Sequence, residues 1–231
     1  MAAKARFLPM PQATDTRIIM SLREQQKQGR RTRILDTAEG LIRHSADIEF
    51  TMRQLAAAAE VSLATPFNLF GSKEGLLYSL LARSLDHITV AGLNFRSSDA
   101  MVHVVEAGEN VVQTFLADPD FLRPLYQVLL SVSHPGHRPE FMRRAFEYWR
   151  RATLTNPHIR SMQQASLTDA VAGALMAHFI GLLELWVHRD IDDRQFSQRT
   201  KSGIILIVMS VVPEGVRRPL EIAWDEVRAR E

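Results

Sequence analysis

The sequence predicts an all-α protein: a small N-terminal helical domain followed by a larger helical body. Three observations lead there. Apolar residues recur at three- and four-residue steps through most of the chain, the period of helices with one buried face. Breakers fall between these stretches, at Asp118-Pro119, His134-Pro135-Gly136, Asn156-Pro157 and Pro213-Glu214-Gly215. β-Branched residues nowhere alternate cleanly with polar ones, so no strand is expected.

Composition narrows the class. The 231 residues are 46% hydrophobic and 23% charged, enough apolar material for a real core. The absence of cysteine excludes disulfides and thiolate metal sites. The opening MAAKARFLPMPQATD lacks the apolar run of a secretory leader. The longest apolar run, Ile204 to Val212, is too short to cross a bilayer. A soluble cytoplasmic protein with no membrane partner is expected. The net charge of +2 hides an asymmetry, since residues 1–35 carry +6 and the remainder −4. A basic arm over residues 1–29 points to a polyanion partner near the N-terminus.

Taken in order, residues 1–14 contain two prolines and no period. Thr16 to Gln28 suit a short helix that Gly29 ends. From Arg30, the apolar series Ile34, Leu35, Ala38, Leu41 and Ile42 marks a helix with one buried face. Arg30, Arg31 and Arg33 crowd its first turn, where the helix dipole disfavours cations, so an anion is expected close by. Thr51-Met52-Arg53-Gln54 forms a capping box for a second helix, which buries Met52, Leu55, Ala56 and Ala59. A turn at Glu60-Val61 follows, and Ser62 caps a third helix. On that helix Val61, Thr65, Pro66, Leu69 and Phe70 share one face, with Leu63, Ala64, Phe67 and Asn68 on the other. Gly71 stops it, and Ser72 caps a fourth. Further helices are expected near 73–95, 100–117, 120–132, 138–154, 166–189, 195–212 and 219–229.

Residues 30–77 thus read as a helix-turn-helix, whose second helix fits a DNA major groove while the first braces it. Residues 78–231 form the body. At the residue level, positions 33–77 resemble the DNA-binding domain of the tetracycline-repressor-like (TetR) family of transcriptional regulators. The resemblance rests on Ile34, Leu35, Ala38, Leu41, Ile42, Thr51, Leu55, Ala56, Ala59, Val61, Ser62, Thr65, Phe70, Ser72, Lys73, Glu74 and Leu76-Leu77. Beyond the first 80 or so residues only architecture is similar.

The resemblance implies a homodimeric, ligand-responsive regulator, most simply a repressor of a pseudo-palindromic double-stranded operator, without cofactor, catalysis or metal. Thr51 and Lys73 would touch phosphates, Ser62 to Asn68 (Ser62, Leu63, Ala64, Thr65, Phe67, Asn68) would form the recognition helix, and Arg30, Arg31 and Arg33 would add phosphate affinity. An all-α small-molecule carrier or enzyme retaining the motif as a packing unit is the alternative. The sequence departs from the family pattern in four places. Glu60 stands where glycine is frequent, Phe67 where tyrosine is usual, and Pro66 sits near the fourth helical position, where it would remove a backbone bond. Leu63 and Ala64 offer no polar contact.

The family also implies dimerisation through the last two long helices. Two stripes suit this: Leu167, Val171, Ala174, His178, Leu182, Leu185 and Arg189, then Phe196, Thr200, Ile204, Ile207, Val208 and Val211. An effector pocket would draw on Phe115, Tyr126, Phe146, Trp149, His178 and Trp186, a lining suited to an apolar or aromatic small molecule. His134 and His137 on one turn, and Glu184 with His188, lack the third ligand that a zinc site requires.

Overall fold

The computed structural model describes residues 22–131, 135–161 and 165–229. The first 21 residues of the arm expected over 1–29, and His134, lie outside them. The described residues are helical with no strand. Helix α1 spans Leu22–Ser45, α2 Met52–Ala58, α3 Ala64–Phe70 and α4 Lys73–Gly92. Helices α5 (His103–Ala117), α6 (Pro119–Ser131), α7 (Arg138–Leu154), α8 (Pro157–Ser161), α9 (Ala165–Val187), α10 (Asp193–Val211) and α11 (Arg218–Arg228) complete the body. The short α8 went unforeseen, because five residues carry no readable period.

The first correction concerns Gly29. It does not end a helix, since α1 runs unbroken from Leu22. A helical glycine costs only about 1 kcal/mol, and the glutamines, lysine and arginines around it are good helix formers. Arg30, Arg31 and Arg33 consequently sit in the third and fourth turns, away from the dipole's positive end, and the helix-terminus argument for a nearby anion no longer holds.

Helix α4 runs through position 77/78, where the sequence divides motif from body. One rigid rod therefore belongs to both. Around it, α1 packs on α2, α4 and α6, while α7, α9, α10 and α5 enclose the body's core. Phe115 sits at the centre, with Tyr126, Trp186 and Phe196 meeting its ring edge-on at 4.8, 5.9 and 6.4 Å. Trp186 is fully buried, stacked on Phe196 at 5.2 Å, with the Arg123 guanidinium 4.1 Å from its ring. Its indole N–H donates to Asp193 Oδ1 at 2.7 Å.

The second correction concerns the stripe on α10. Phe196, Thr200, Ile204 and Val208 are buried within the single chain. A Cβ at Gly108 of α5 would lie 2.1 Å from Ile204 Cδ1, so this face is seated on α5. On α9, Val171 and Leu182 likewise belong to the core. The faces left open carry Ala170, Ala174, Ala177, Gly181 and Leu185 on α9, and Leu206 on α10.

The third correction concerns apolar length. Ser166–Val187 is long and apolar enough to cross a membrane by composition, with a mean hydropathy of 1.8. The longest uninterrupted apolar run missed it, because isolated polar residues divide the stretch without lowering its mean. Only 44% of that window is buried within the chain.

Candidate nucleic-acid interface

The motif is built from local signals that the sequence states directly. Gln54 N–H donates to Thr51 Oγ1 at 3.2 Å and Thr51 N–H donates to Gln54 Oε1 at 2.7 Å, the two halves of the capping box. Glu60 occupies the turn with φ of +53°, the left-handed region that costs a non-glycine residue about 1 kcal/mol. Gly71 closes α3 with φ of +76°, donating its N–H to Phe67 O at 2.8 Å. Gly75 N–H donates to Ser72 Oγ at 3.1 Å, which caps α4.

Two local expectations change. Helix α3 begins at Ala64, and Ser62 does not cap it. Its hydroxyl pairs instead with Thr65 Oγ1 at 2.9 Å. With Ala64 first, Pro66 is the third helical residue, where an N–H has no intrahelical acceptor, so the proline breaks no bond.

The division of α3 into two faces stands as read. Pro66 and Phe70 are buried, with Val61, Thr65 and Leu69 half-buried. Leu63, Ala64, Phe67 and Asn68 are exposed. The buried face is fixed at two points. Arg31 donates to Leu69 O at 3.0 Å and to Ser79 Oγ at 2.8 Å, and its guanidinium lies 4.5 Å from the Phe70 ring centroid. At Gly75 a Cβ would stand 2.1 Å from the Phe70 carbonyl oxygen, so α3 and α4 meet backbone to backbone.

The arginine row separates because successive helical residues turn by about 100°. Arg31 faces inward as the staple just described. Arg33 lines a different groove on α1, with Gln25, Gly29 and Asp36. Arg30 alone of the three borders the solvent-open groove beside α3. It lines an open groove with Arg23, Glu24 and Lys27 from α1, and Thr65, Asn68 and Leu69 from α3. In the sequence Arg23 and Lys27 count only within the basic arm. The steps of four and three residues from Arg23 through Lys27 to Arg30 are a readable signal once α1 is known to extend that far. Thr51 is exposed, its hydroxyl engaged in the cap. Lys73 Nζ sits 4.8 Å from the Phe50 ring centroid at the start of α4.

In the body, an apolar cavity with about 50 Å³ of free volume lies among α4, α5, α6, α7 and α9. Of the expected lining, Phe115, Tyr126 and Trp149 are there, joined by Val111, Tyr148 and Phe179. Phe146, His178 and Trp186 are not. Phe146 packs over Gly173 of α9. His178 lies against Gly203 of α10, its Nε2 hydrogen-bonded to Arg199 O at 3.1 Å. Trp186 is fully engaged in the core. Among the described residues no charged side chain lines the cavity. Burial pushes the Tyr126 and Tyr148 phenols well above their usual range, so both stay neutral. Tyr148 donates to Ala107 O at 2.7 Å, and Tyr126 hydroxyl pairs with Ser84 Oγ at 3.2 Å.

Ser84 also lines a second, polar cleft of about 130 Å³ between α1, α4 and the α5–α6 junction. Here Arg43 of α1 grips Asp118 through Nε and a terminal nitrogen, at 3.0 and 2.6 Å, and reaches Glu39 at 2.5 Å. The hydrogen bond to Asp118, outweighing desolvation, raises the Arg43 pKa. Arg83 of α4 pairs with Asp36 and Glu39 of α1. Except for Arg43 with Glu39, one turn away on α1, these partners are dozens of residues apart, and no sequence period announces them. His188 bonds its own Glu184 backbone carbonyl rather than forming a paired ligand set. Among the described residues no three His, Asp or Glu side chains converge on a metal position.

A helix-turn-helix joined through one shared helix to an all-helical body is the class these elements define. No protein-family profile matches the chain, and no curated protein matches it in sequence. Solved structures match its fold. A TetR transcriptional regulator from Rhodococcus sp. RHA1 aligns with a TM-score of 0.63 at 15% identity, over 78% of this chain and 96% of that one. A tetR-family transcriptional regulator from Streptomyces coelicolor gives 0.59 at 14% identity, over 88% and 90%. SmeT, the repressor of the Stenotrophomonas maltophilia multidrug efflux pump SmeDEF, gives 0.58 at 17% identity, over 80% and 92%. The chain has the fold of the TetR-family regulators.

Proposed function

We propose that this chain is a cytoplasmic DNA-binding transcriptional regulator, a homodimeric repressor released from a pseudo-palindromic operator by a small apolar or aromatic effector. The observation that carries the reading is α3 itself. Its outer face is open to solvent, its inner face is locked by Arg31 and Gly75, and the basic side chains Arg23, Lys27 and Arg30 line the adjoining groove. A rigid helix beside a cationic groove suits a duplex, with phosphates positioning and base edges specifying. Lys73 and Thr51 would extend the phosphate contacts.

The open faces of α9 and α10 support a dimer. A strongly apolar helix with little more than two-fifths of its length buried requires a cover. The alanines and glycine there allow a second copy's helices to approach closely. A two-fold axis through this surface would offer two recognition helices to successive major-groove turns, about 34–36 Å apart.

The cavity supports effector control. Its 50 Å³ accommodates a few waters at most, so a drug-sized molecule must push a wall outward. Ile88 lines both the cavity and the open polar cleft, Ser84 of the cleft pairs with Tyr126 of the cavity, and across the cleft Arg43 and Arg83 hold α1. An effector that prefers the expanded state would shift α1 and α4 toward a geometry with lower DNA affinity. The test is operator selection from random duplexes with the full chain, repeated with apolar and aromatic compounds. Failure to enrich any sequence overturns the DNA reading. Compounds that raise the melting temperature but leave operator affinity untouched would overturn effector control alone.

A further inference from the structure

The outer face of the recognition helix has an unusual chemistry. Leu63 and Phe67 are 43% and 45% exposed, one helical turn apart, with exposed Ala64 between them. None of the three can donate or accept a hydrogen bond. The hydroxyls nearest to them are turned on each other, Ser62 Oγ to Thr65 Oγ1 at 2.9 Å. Of the exposed face, Asn68 alone offers an amide. Pressing an apolar surface onto the polar edges of base pairs strips water from groups that then go unpaired, which is unfavourable. One group on those edges escapes this penalty. The C5 methyl of thymine is the apolar feature of the major groove, and a cytosine methylated at C5 carries the same group in the same place.

The surroundings commit the face to a duplex rather than to an apolar protein surface. It is continuous with the groove in which Arg23, Lys27 and Arg30 stand beside Thr65 and Asn68. That juxtaposition of cationic wall and apolar reading face matches phosphate backbone and methylated base edge.

We propose that Leu63, Ala64 and Phe67 select operator sites by the C5 methyl groups of pyrimidines, reading thymine and 5-methylcytosine alike at the positions they face. The proposal rests on the DNA-binding reading above. Burying one methyl corresponds to about a fourfold change in affinity.

The experiment uses the full chain and the duplex it selects from a random pool. Each thymine in a half-site is replaced in turn by deoxyuridine, which removes the methyl and keeps the pairing. At one or more positions per half-site the Kd rises about fourfold. At those positions cytosine and 5-methylcytosine are compared as well, and the methylated base binds about fourfold tighter. Leu63→Ala and Phe67→Ala, both at exposed positions that leave the fold intact, each erase the discrimination at their own position while the salt dependence of binding stays unchanged. Deoxyuridine tolerated at every position overturns the proposal and leaves DNA binding standing. So does a penalty that persists in both alanine variants, which would reflect duplex shape. If no duplex is enriched by the wild type, the proposal falls together with the functional reading beneath it.

Discussion

Gly75 offers a test in which two physical effects predict opposite signs. The residue lies in the first turn of α4, and alanine is the better helix former by about 1 kcal/mol. On propensity alone Gly75→Ala should stabilise the protein. The structure argues otherwise. An ideal Cβ there stands 2.1 Å from the Phe70 carbonyl oxygen, and real Cβ atoms essentially never come within 3.0 Å of another heavy atom. The carbonyl is backbone at the end of α3, so no rotamer change relieves the contact, and the helix end must retreat by about 1 Å. Overpacking of this kind costs about 1–3 kcal/mol. Set against the propensity gain, the net effect is a loss of up to about 2 kcal/mol, a fall in Tm of up to about 8 °C for a chain of this size. The retreat also loosens Arg31 from Leu69 O and tilts α3, so under the proposed function operator affinity falls with stability. Gly40→Ala is the control. Gly40 lies inside α1, exposed, with nothing within 4 Å of an added Cβ, and this change should raise Tm by about 1–4 °C. Both variants are compared by urea and thermal denaturation. If Gly75→Ala proves as stable as Gly40→Ala, the backbone-to-backbone seating of α3 on α4 is wrong.

Three further outcomes follow from the geometry. Arg31→Ala removes two hydrogen bonds and the contact with Phe70, and should lower stability by about 1–3 kcal/mol. The salt dependence of its residual DNA binding should be unaltered, whereas a phosphate-contacting arginine would lower the slope. Replacing Arg23, Lys27 and Arg30 together by glutamine should leave the melting temperature nearly unchanged and reduce the slope of log K against log salt by about 2.7, roughly 0.9 per lost phosphate contact. Ala177→Arg and Leu206→Arg fall on surfaces open in the single chain. Each should keep its helical circular dichroism and sediment as a monomer, and a variant that still sediments as a dimer would move the interface elsewhere.

The sequence by itself determined the elements whose causes are local. The capping box at Thr51 and Gln54, the Ser72 cap, the glycine stop at Gly71 and the two faces of α3 all rest on residues within one or two turns of each other. Helix α7 was placed at its observed limits for the same reason, since proline-rich breakers and a clean period bound it. Glu60 too was legible as a turn position where the resemblance sets glycine, while its positive φ came with the structure. The failures share a different cause. Gly29 reads locally as a stop, yet its neighbours carry α1 through it. Arg30, Arg31 and Arg33 look equivalent along the chain, and only the packing of α3 and α4 against α1 makes the second a structural staple while the first faces the groove. Ile204 and Val208 were taken for a dimer seam because periodicity records that a face is buried, not what buries it. Here it is α5, through the gap left by Gly108. Tyr126 and Phe115 were recognised as pocket candidates, but His178 and Trp186, with the same composition and spacing, are held elsewhere by Gly203, Asp193 and Arg123. Patterns along one helix fix which residues turn inward. Which partner they meet is a long-range property, settled only when α4 threads both domains and the ion pairs of Arg43 and Arg83 join segments far apart in the chain.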